Sequence, residues 1–393
     1  MTVLPASAPD KRTARRHYLD YNATCPVRPE VIAAVADTMA EVGNSSSVHG
    51  EGRAARAHVE AAREKVRALS NAPVNGVVFT SGGTEAIHLA MHGLVATGRI
   101  RRIYVSAIEH AAVMEAAISS GLETITVPAL PTGTIDLNWL ADALRTDDSK
   151  GEFLLCLMMA NNETGVIQPV REAADLVHEN DGLVFVDAAQ ALGKIPVNFV
   201  MSGADMMAVT AHKFGGPIGI GALIAAPNLP FEPQLKGGGH EQNRRAGTHN
   251  VPGIVGMGVA CQSAAQAVTQ HGAIAAMRNR MEIAAREAGA TIWGGEAERL
   301  PGTVCVSAPG FSSETQLMAM DLAGIAVSSG SACSSGKTKA SHVLRAMGAD
   351  DPNAHSALRV SIGWGTSSDD VEAFCREWPA AYLRIKAKQG AAA

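Results

Sequence analysis

A chain of 393 residues exceeds what one hydrophobic core usually supports, so two domains, or a large domain with a smaller appendage, are expected. Hydrophobic residues at 47% against charged residues at 18%, with many Gly and Ala and few aromatics, fit a soluble globular α/β protein. A net charge of -5 argues against a general nucleic-acid binder, and no apolar run is long enough to span a bilayer.

The basic cluster KRTARR near the N-terminus is followed by HYLDYNATCP rather than by an apolar run, so it does not read as a signal peptide. A cytoplasmic protein with neither nucleic acid nor membrane as partner is expected. Further along, GVVFT leads into SGGTEAIHLAMHGL, RIYVSA into IEHAAVMEAAISSG, FLLCLMM into ANNETG, LVFVDA into AQALG, and MMAVT into AHKFGGP. Nearly continuous apolar strands alternating with amphipathic helices predict a parallel sheet covered on both faces. Ligands of such sheets lie beyond the carboxyl ends of the strands.

After about Gly253 the pattern changes. An Ala-rich helical stretch, VGMGVACQSAAQAV continuing through AAMRNRMEIAAREAG, reads as a spine into a second domain. There PGTVCVSA, GIAVSS and ALRVSIG supply strands, while SETQLMAMDLAG and DDVEAFCREWPAAYLRIKAK supply helices. The expected organisation is an arm over 1–20, a large domain over 21–260 and a small α+β domain over 261–393. The arm could pack on either domain.

The six cysteines are scattered, without a CxxC pair or Cys/His spacing, so neither a disulfide framework nor a metal site is expected. Cys156 and Cys305 sit in apolar runs and read as small buried hydrophobes. Cys333 differs: it lies in SSGSACSSGK, within a loop over 328–340 whose small residues would let a thiol move.

Three further stretches carry chemistry in combination. In SGGTEA, glycines and the free N–H groups of a helix start, near Gly83 and Thr84, suit an anion, although many strand-to-helix turns carry glycine. In TAHKFGGP, Lys213 follows a strand; alone it reads as a solvated charge. In VFVDAAQ, Asp187 closes a very apolar strand, where a carboxylate is expensive to bury without a cation, and Gln190 follows. A lysine for a Schiff base, an aspartate for a ring nitrogen and a Gly/Thr turn for a phosphate are what pyridoxal phosphate requires of a protein.

The chain resembles the group I cysteine desulfurases, class-V aminotransferases among the pyridoxal-phosphate enzymes of the aspartate-aminotransferase fold. The resemblance runs in register from YLDYNATCPVRPEV through NSSSVHGEGRAAR, FTSGGTEA, EHAAV, NNETGVIQP, VDAAQALGK, AHKFGGPIGIGAL, GGGHEQNRRAGTHN and SSGSACSSG to ALRVSIG. It implies fold type I, with a mainly parallel seven-stranded sheet in a large cofactor-binding domain and a smaller α+β C-terminal domain. It further implies that Lys213 is the Schiff-base lysine and moves protons at the substrate's α-carbon. His110 would stack on the cofactor ring and serve in proton transfer. Asp187 would pair with the ring nitrogen, and Gln190 would bond the phenolic oxygen. Gly83, Thr84, Thr210 and His212 would hold the phosphate, with Thr248 reaching in from the second subunit of a homodimer. Asn162 and Arg359 would hold the carboxylate of L-cysteine. Cys333 would take the sulfur as a persulfide, leave alanine, and pass the sulfur to an acceptor such as an iron–sulfur scaffold.

The alternative on the same fold is a selenocysteine lyase or another pyridoxal-phosphate lyase or aminotransferase. An aminotransferase has no use for a mobile thiol, and a degenerate scaffold would have lost Lys213, Asp187 or Cys333. No strand leads into a GxGxxG turn, which disfavours a nicotinamide enzyme. Two departures from the family stand out. WGTSS follows RVSIG and is expected to alter packing near Arg359, and the short ending KQGAAA leaves the acceptor open.

Overall fold

The computed structural model describes residues 16–149, 151–330 and 340–390. In chain order the strands are β1 (His17–Tyr18), β2 (Val77–Thr80), β3 (Arg102–Ser106), β4 (Glu123–Val127), β5 (Phe153–Met158), β6 (Leu183–Asp187), β7 (Met206–Thr210) and β8 (Gly221–Ala225). They continue with β9 (Thr291–Ile292), β10 (Thr303–Ser307), β11 (Ile325–Ala326), β12 (Ser328–Ser329) and β13 (Ala357–Ser361).

The large domain is built on a seven-stranded sheet of order β2-β8-β7-β6-β5-β3-β4. β3 to β7 run parallel, and β8 is antiparallel between β7 and β2. Every residue of β5, β6 and β7 is buried, as parallel strands covered on both faces require. Alternation divides them between two cores. Leu155, Val184 and Met207 join the helices Gly50–Ser70 and Val251–Ala267 on one face, and Leu154, Phe185 and Met206 join the helix Gly83–Val95 on the other. The five strands expected from apolar runs are all present. β4 and β8 are additions: ETITV is a half-exposed edge strand, and GALIA emerges from a glycine-rich loop that gives no strand pattern.

The helix Val251–Ala267 buries Ile254, Met257, Cys261 and Ala264 in the first of these cores. A bend of 78° then leads into His271–Glu287, whose Met281 and Ala285 belong to the small-domain core. Among the described residues no single helix is long and apolar enough to cross a membrane. The small domain carries an antiparallel sheet of order β12-β13-β10-β9, packed against Phe374 and Trp378 of the helix Ser368–Gly390. GIAVSS divides in two: β11 pairs in parallel with β1, while β12 pairs with β13. The described part of the arm therefore packs on the small domain, with Leu19 in its core.

The turn after β1 stitches the domains together. Asp20 accepts from Arg359 Nη2 at 2.9 Å and from Ser328 Oγ at 2.7 Å. Asn22 Nδ2 donates to the carbonyl of Asn162 at 3.2 Å and to Thr303 Oγ1 at 3.0 Å. Gly363 has to be glycine here, because a Cβ would overlap the ring of Tyr21, which is only 4% exposed. Gly363→Ala is expected to destabilise the protein by about 1–3 kcal/mol, read as a lower urea midpoint at unchanged slope.

Candidate active site

A cavity of about 220 Å³ opens where β5, β6 and β7 end. Its wall brings together nine of the residues singled out from sequence: Gly83, Thr84, His110, Asn162, Asp187, Gln190, Thr210, His212 and Lys213. At one end the helix Gly83–Val95 begins, with no side chain among the described residues capping its first N–H groups. Such a start, beside the Thr84 and Thr210 side chains, suits a phosphate.

His110 is the N-cap of the helix Ala111–Ser119. Its Nδ1 accepts from Ala112 N at 3.1 Å, so the proton of the neutral ring sits on Nε2. The cap is both the ordinary role of a helix-start histidine and the device that orients this ring in the cavity. Glu109, just before it, is wholly buried and accepts from Met158 N at 2.6 Å, while its Oε2 has no partner among the described residues. Burial, and then the nearby Asp187, push its carboxyl well above the usual range.

Asp187 ends β6 in a buried position, and its Oδ1 accepts from Ala189 N at 2.9 Å. Burial raises its pKa, while that bond and then the charges of His110 and Lys213 pull it down. No ion pair to it forms among the described residues, so the carboxylate is suited to a cationic ring nitrogen in the cavity.

Lys213 closes the 3-10 turn after β7, and its Nζ donates to the carbonyls of Asn22 at 2.7 Å and Ala23 at 3.0 Å. Gln190 Nε2 donates to the same Asn22 carbonyl at 3.0 Å. Behind them Lys194 Nζ donates to Gln190 Oε1 at 2.5 Å and to Asn22 Oδ1 at 2.8 Å. Burial first, and Lys213 second, bring Lys194 down to about 7. His212, with Nδ1 3.3 Å from Thr24 Oγ1, is lowered to about 4 by burial and then by the two lysines.

Two of the expected residues, Arg359 and Thr248, stand apart from the cavity wall. Arg359, on β13, is 3% exposed and donates from Nη1 to the Asn162 carbonyl at 3.2 Å, while its Nε is buried without a partner among the described residues. Thr248 is exposed on the segment before the helix Val251–Ala267. Cys333 lies outside the described residues. The departure at Trp364 contacts the turn before the first helix: Nε1 donates to the Pro26 carbonyl at 3.3 Å and the Arg28 guanidinium lies 4.9 Å over the ring. Sequence reasoning did not single out Asn22, Lys194 and Glu109. Each lies inside one of the quoted motifs, YLDYNATCP, VDAAQALGK and EHAAV, which is the signal that could have found them.

An amine, a buried carboxylate, an amide donor and an anion-ready helix start around one cavity fit pyridoxal phosphate. The aminotransferase class-V family model matches residues 17–374. The chain belongs to the class-V aminotransferases. Within that family it is similar to a cysteine desulfurase of Cereibacter sphaeroides, 40% identical over 383 residues that cover 95% of this chain and 97% of that one. Its fold is similar to a solved NifS-like protein from Rickettsia africae, with a TM-score of 0.86 and 29% identity over 95% of this chain and 99% of that chain. A structure described as SspA in complex with cysteine matches with a TM-score of 0.76 and 27% identity, covering 88% of this chain and 99% of that one. The chain is thus a member of the cysteine desulfurases, an enzyme family dependent on pyridoxal phosphate.

Lys194 gives a pH signature. Its folded-state pKa of about 7 lies below the ordinary 10.5, so between those values the unfolded chain binds more protons and stability rises with pH. Chemical unfolding of the cofactor-free protein should show that rise from about pH 7 towards about pH 10, and Lys194→Met should flatten it.

Proposed function

We infer that the protein is a pyridoxal-phosphate-dependent cysteine desulfurase, which converts L-cysteine to L-alanine and moves the sulfur to Cys333 as a persulfide. The observation that carries this reading is the convergence of Lys213, Asp187, Gln190, His110 and the Gly83 helix start on one cavity, in a chain 40% identical to a cysteine desulfurase. A related structure is described with cysteine bound.

Bound in the cavity, pyridoxal phosphate supplies an electron sink that makes the substrate's α-carbon acidic. Gly83 and Thr84 at the helix start, with Thr210 and His212, hold its phosphate. Asp187 keeps the ring nitrogen protonated, and the cation offsets the cost of burying that carboxylate. Gln190 donates its second N–H to the ring oxygen, with Lys194 on Oε1 fixing which end of the amide is the donor. His110 would lie against the ring and serve in proton transfer. Lys213 would hold the cofactor covalently and carry protons at the substrate's α-carbon.

Asn162 and Arg359 hold the substrate carboxylate, for which the partnerless Nε of Arg359 is an available donor. The Cys333 thiolate attacks the substrate sulfur. An S–S bond forms as the C–S bond breaks, the C–S electron pair stays with carbon, and a proton there completes alanine. The persulfide then passes its outer sulfur to an acceptor protein such as an iron–sulfur scaffold. The enzyme works in the cytoplasm as a homodimer in which Thr248 reaches the phosphate bound by the partner subunit.

Two variants test the assignment of roles. Cys333→Ala should keep the yellow cofactor and bind L-cysteine, with sulfide release down at least about 100-fold. Lys213→Ala should lose the visible absorption of the covalently held cofactor. Sulfur release at the normal rate from the Cys333 variant would contradict the reading.

A further inference from the structure

The segment that carries Thr248 is held in an unusual way. Glu241, Gln242 and Asn243 have φ angles of 50°, 58° and 65°, three successive left-handed residues without a glycine among them. Such a run is costly and persists only where the surroundings impose it. Glu241 supplies the restraint. Its side chain is 1% exposed and accepts four hydrogen bonds: from Arg63 Nη1 and Nη2 at 2.8 and 2.9 Å, from Phe79 N at 2.9 Å and from His249 Nε2 at 2.7 Å. Burial would raise its pKa, but the bonds from His249 and Arg63 bring it to about 2, so it is a full anion. Arg63 Nη1 also donates to the Val77 carbonyl at 2.9 Å, so the pair fastens this segment to β2, the outer strand of the sheet. His249 is held from its other side, with Nδ1 2.7 Å from Ser45 Oγ.

A second anchor lies four residues earlier than His249. Arg245 donates from Nε and Nη2 to the two carboxylate oxygens of Glu85 at 2.8 and 3.2 Å. Glu85 stands in the first turn of the helix that begins at Gly83, and also accepts from Ser81 N at 2.8 Å and Ser81 Oγ at 2.5 Å. Between the anchors, Ala246, Gly247 and Thr248 form a short arch, with Gly247 at φ 113°. Thr248 is exposed, and its hydroxyl bonds nothing among the described residues. A fixed arch that offers one uncommitted hydroxyl outward is pre-organised, so little ordering entropy is lost when a ligand takes it.

We propose that Glu241, with Arg63 and His249, and Arg245, with Glu85, are positioning residues that hold Thr248 ready for the cofactor phosphate of a second copy of this chain. The proposal rests on the shared-site role given to Thr248 above and adds the residues that enforce it. Because Glu85 and Gly83 share one helix turn, each subunit's own phosphate site is tied directly to the arch it extends to its partner.

The test is a cycle of cofactor dissociation constants, read by pyridoxal-phosphate absorbance on the reconstituted dimer, for Thr248→Val, Glu241→Gln and the double variant. Thr248→Val should weaken cofactor binding about tenfold, the size of one charge-assisted hydrogen bond. Glu241→Gln should cause most of that loss alone, and the double variant should stay within about twofold of Thr248→Val. A purely structural Glu241 would instead weaken binding equally in both backgrounds. Wild-type affinity in Glu241→Gln, or losses that multiply, would overturn the proposal. If Glu241→Gln does not fold, because Arg63 is left buried beside a neutral amide, Arg245→Met carries the same cycle with the same outcomes. Unchanged affinity in Thr248→Val would show that the shared-site role itself fails, an outcome distinct from the others.

Discussion

A carboxylate at the end of a strand buried on both faces is the constraint around which this site is organised. β6 carries Asp187 out of an entirely apolar run into a position where, among the described residues, its carboxylate accepts one hydrogen bond, from Ala189 N, and where burial favours the neutral acid. Ionisation there requires a cation close by. The charges of His110 and Lys213 lower the pKa, and burial pushes the carboxyl of Glu109 well above the usual range. The site is therefore electrostatically suited to a protonated ring nitrogen, while its small walls leave space for a flat ring. The requirement reaches back to the parallel sheet, because only strand ends gathered at one edge place Asp187, Lys213 and the helix start at Gly83 around one volume.

The second organising element is the turn at Asn22, which follows the arm in sequence and by contact joins both domains. Its carbonyl receives Lys213 and Gln190, its side chain reaches Lys194, Thr303 and the Asn162 carbonyl, and neighbouring Asp20 takes Arg359. A residue of the small domain is thereby registered against the amine of the large one through two or three hydrogen bonds. Each is worth roughly 1 kcal/mol in net stability, but together they fix geometry within the reach of a reacting atom.

Much of this was legible in the sequence. β5, β6 and β7 are continuous apolar runs because both faces are covered, and Lys213, Asp187, Gln190 and His110 stand directly at strand or helix ends. The chain order of those motifs pointed to the family that the comparisons bear out. Other features were illegible for physical reasons. β4 is a half-exposed edge strand with no continuous apolar run, and β8 follows glycines that read as loop. Asp20 meets Arg359 across 339 residues, and Arg63 meets Glu241 across 178, pairings that no local spacing records. Lys194 follows Gln190 by four positions, yet its value lies in being buried between two amides, which only the folded chain reveals.

The most direct measurement is the stoichiometry of products when the purified yellow holoenzyme is mixed with L-cysteine and a thiol reductant. Alanine and sulfide released in equal amounts, with no pyruvate, is the result this account predicts. Pyruvate in place of alanine, or no sulfide from a fully loaded enzyme, would contradict it.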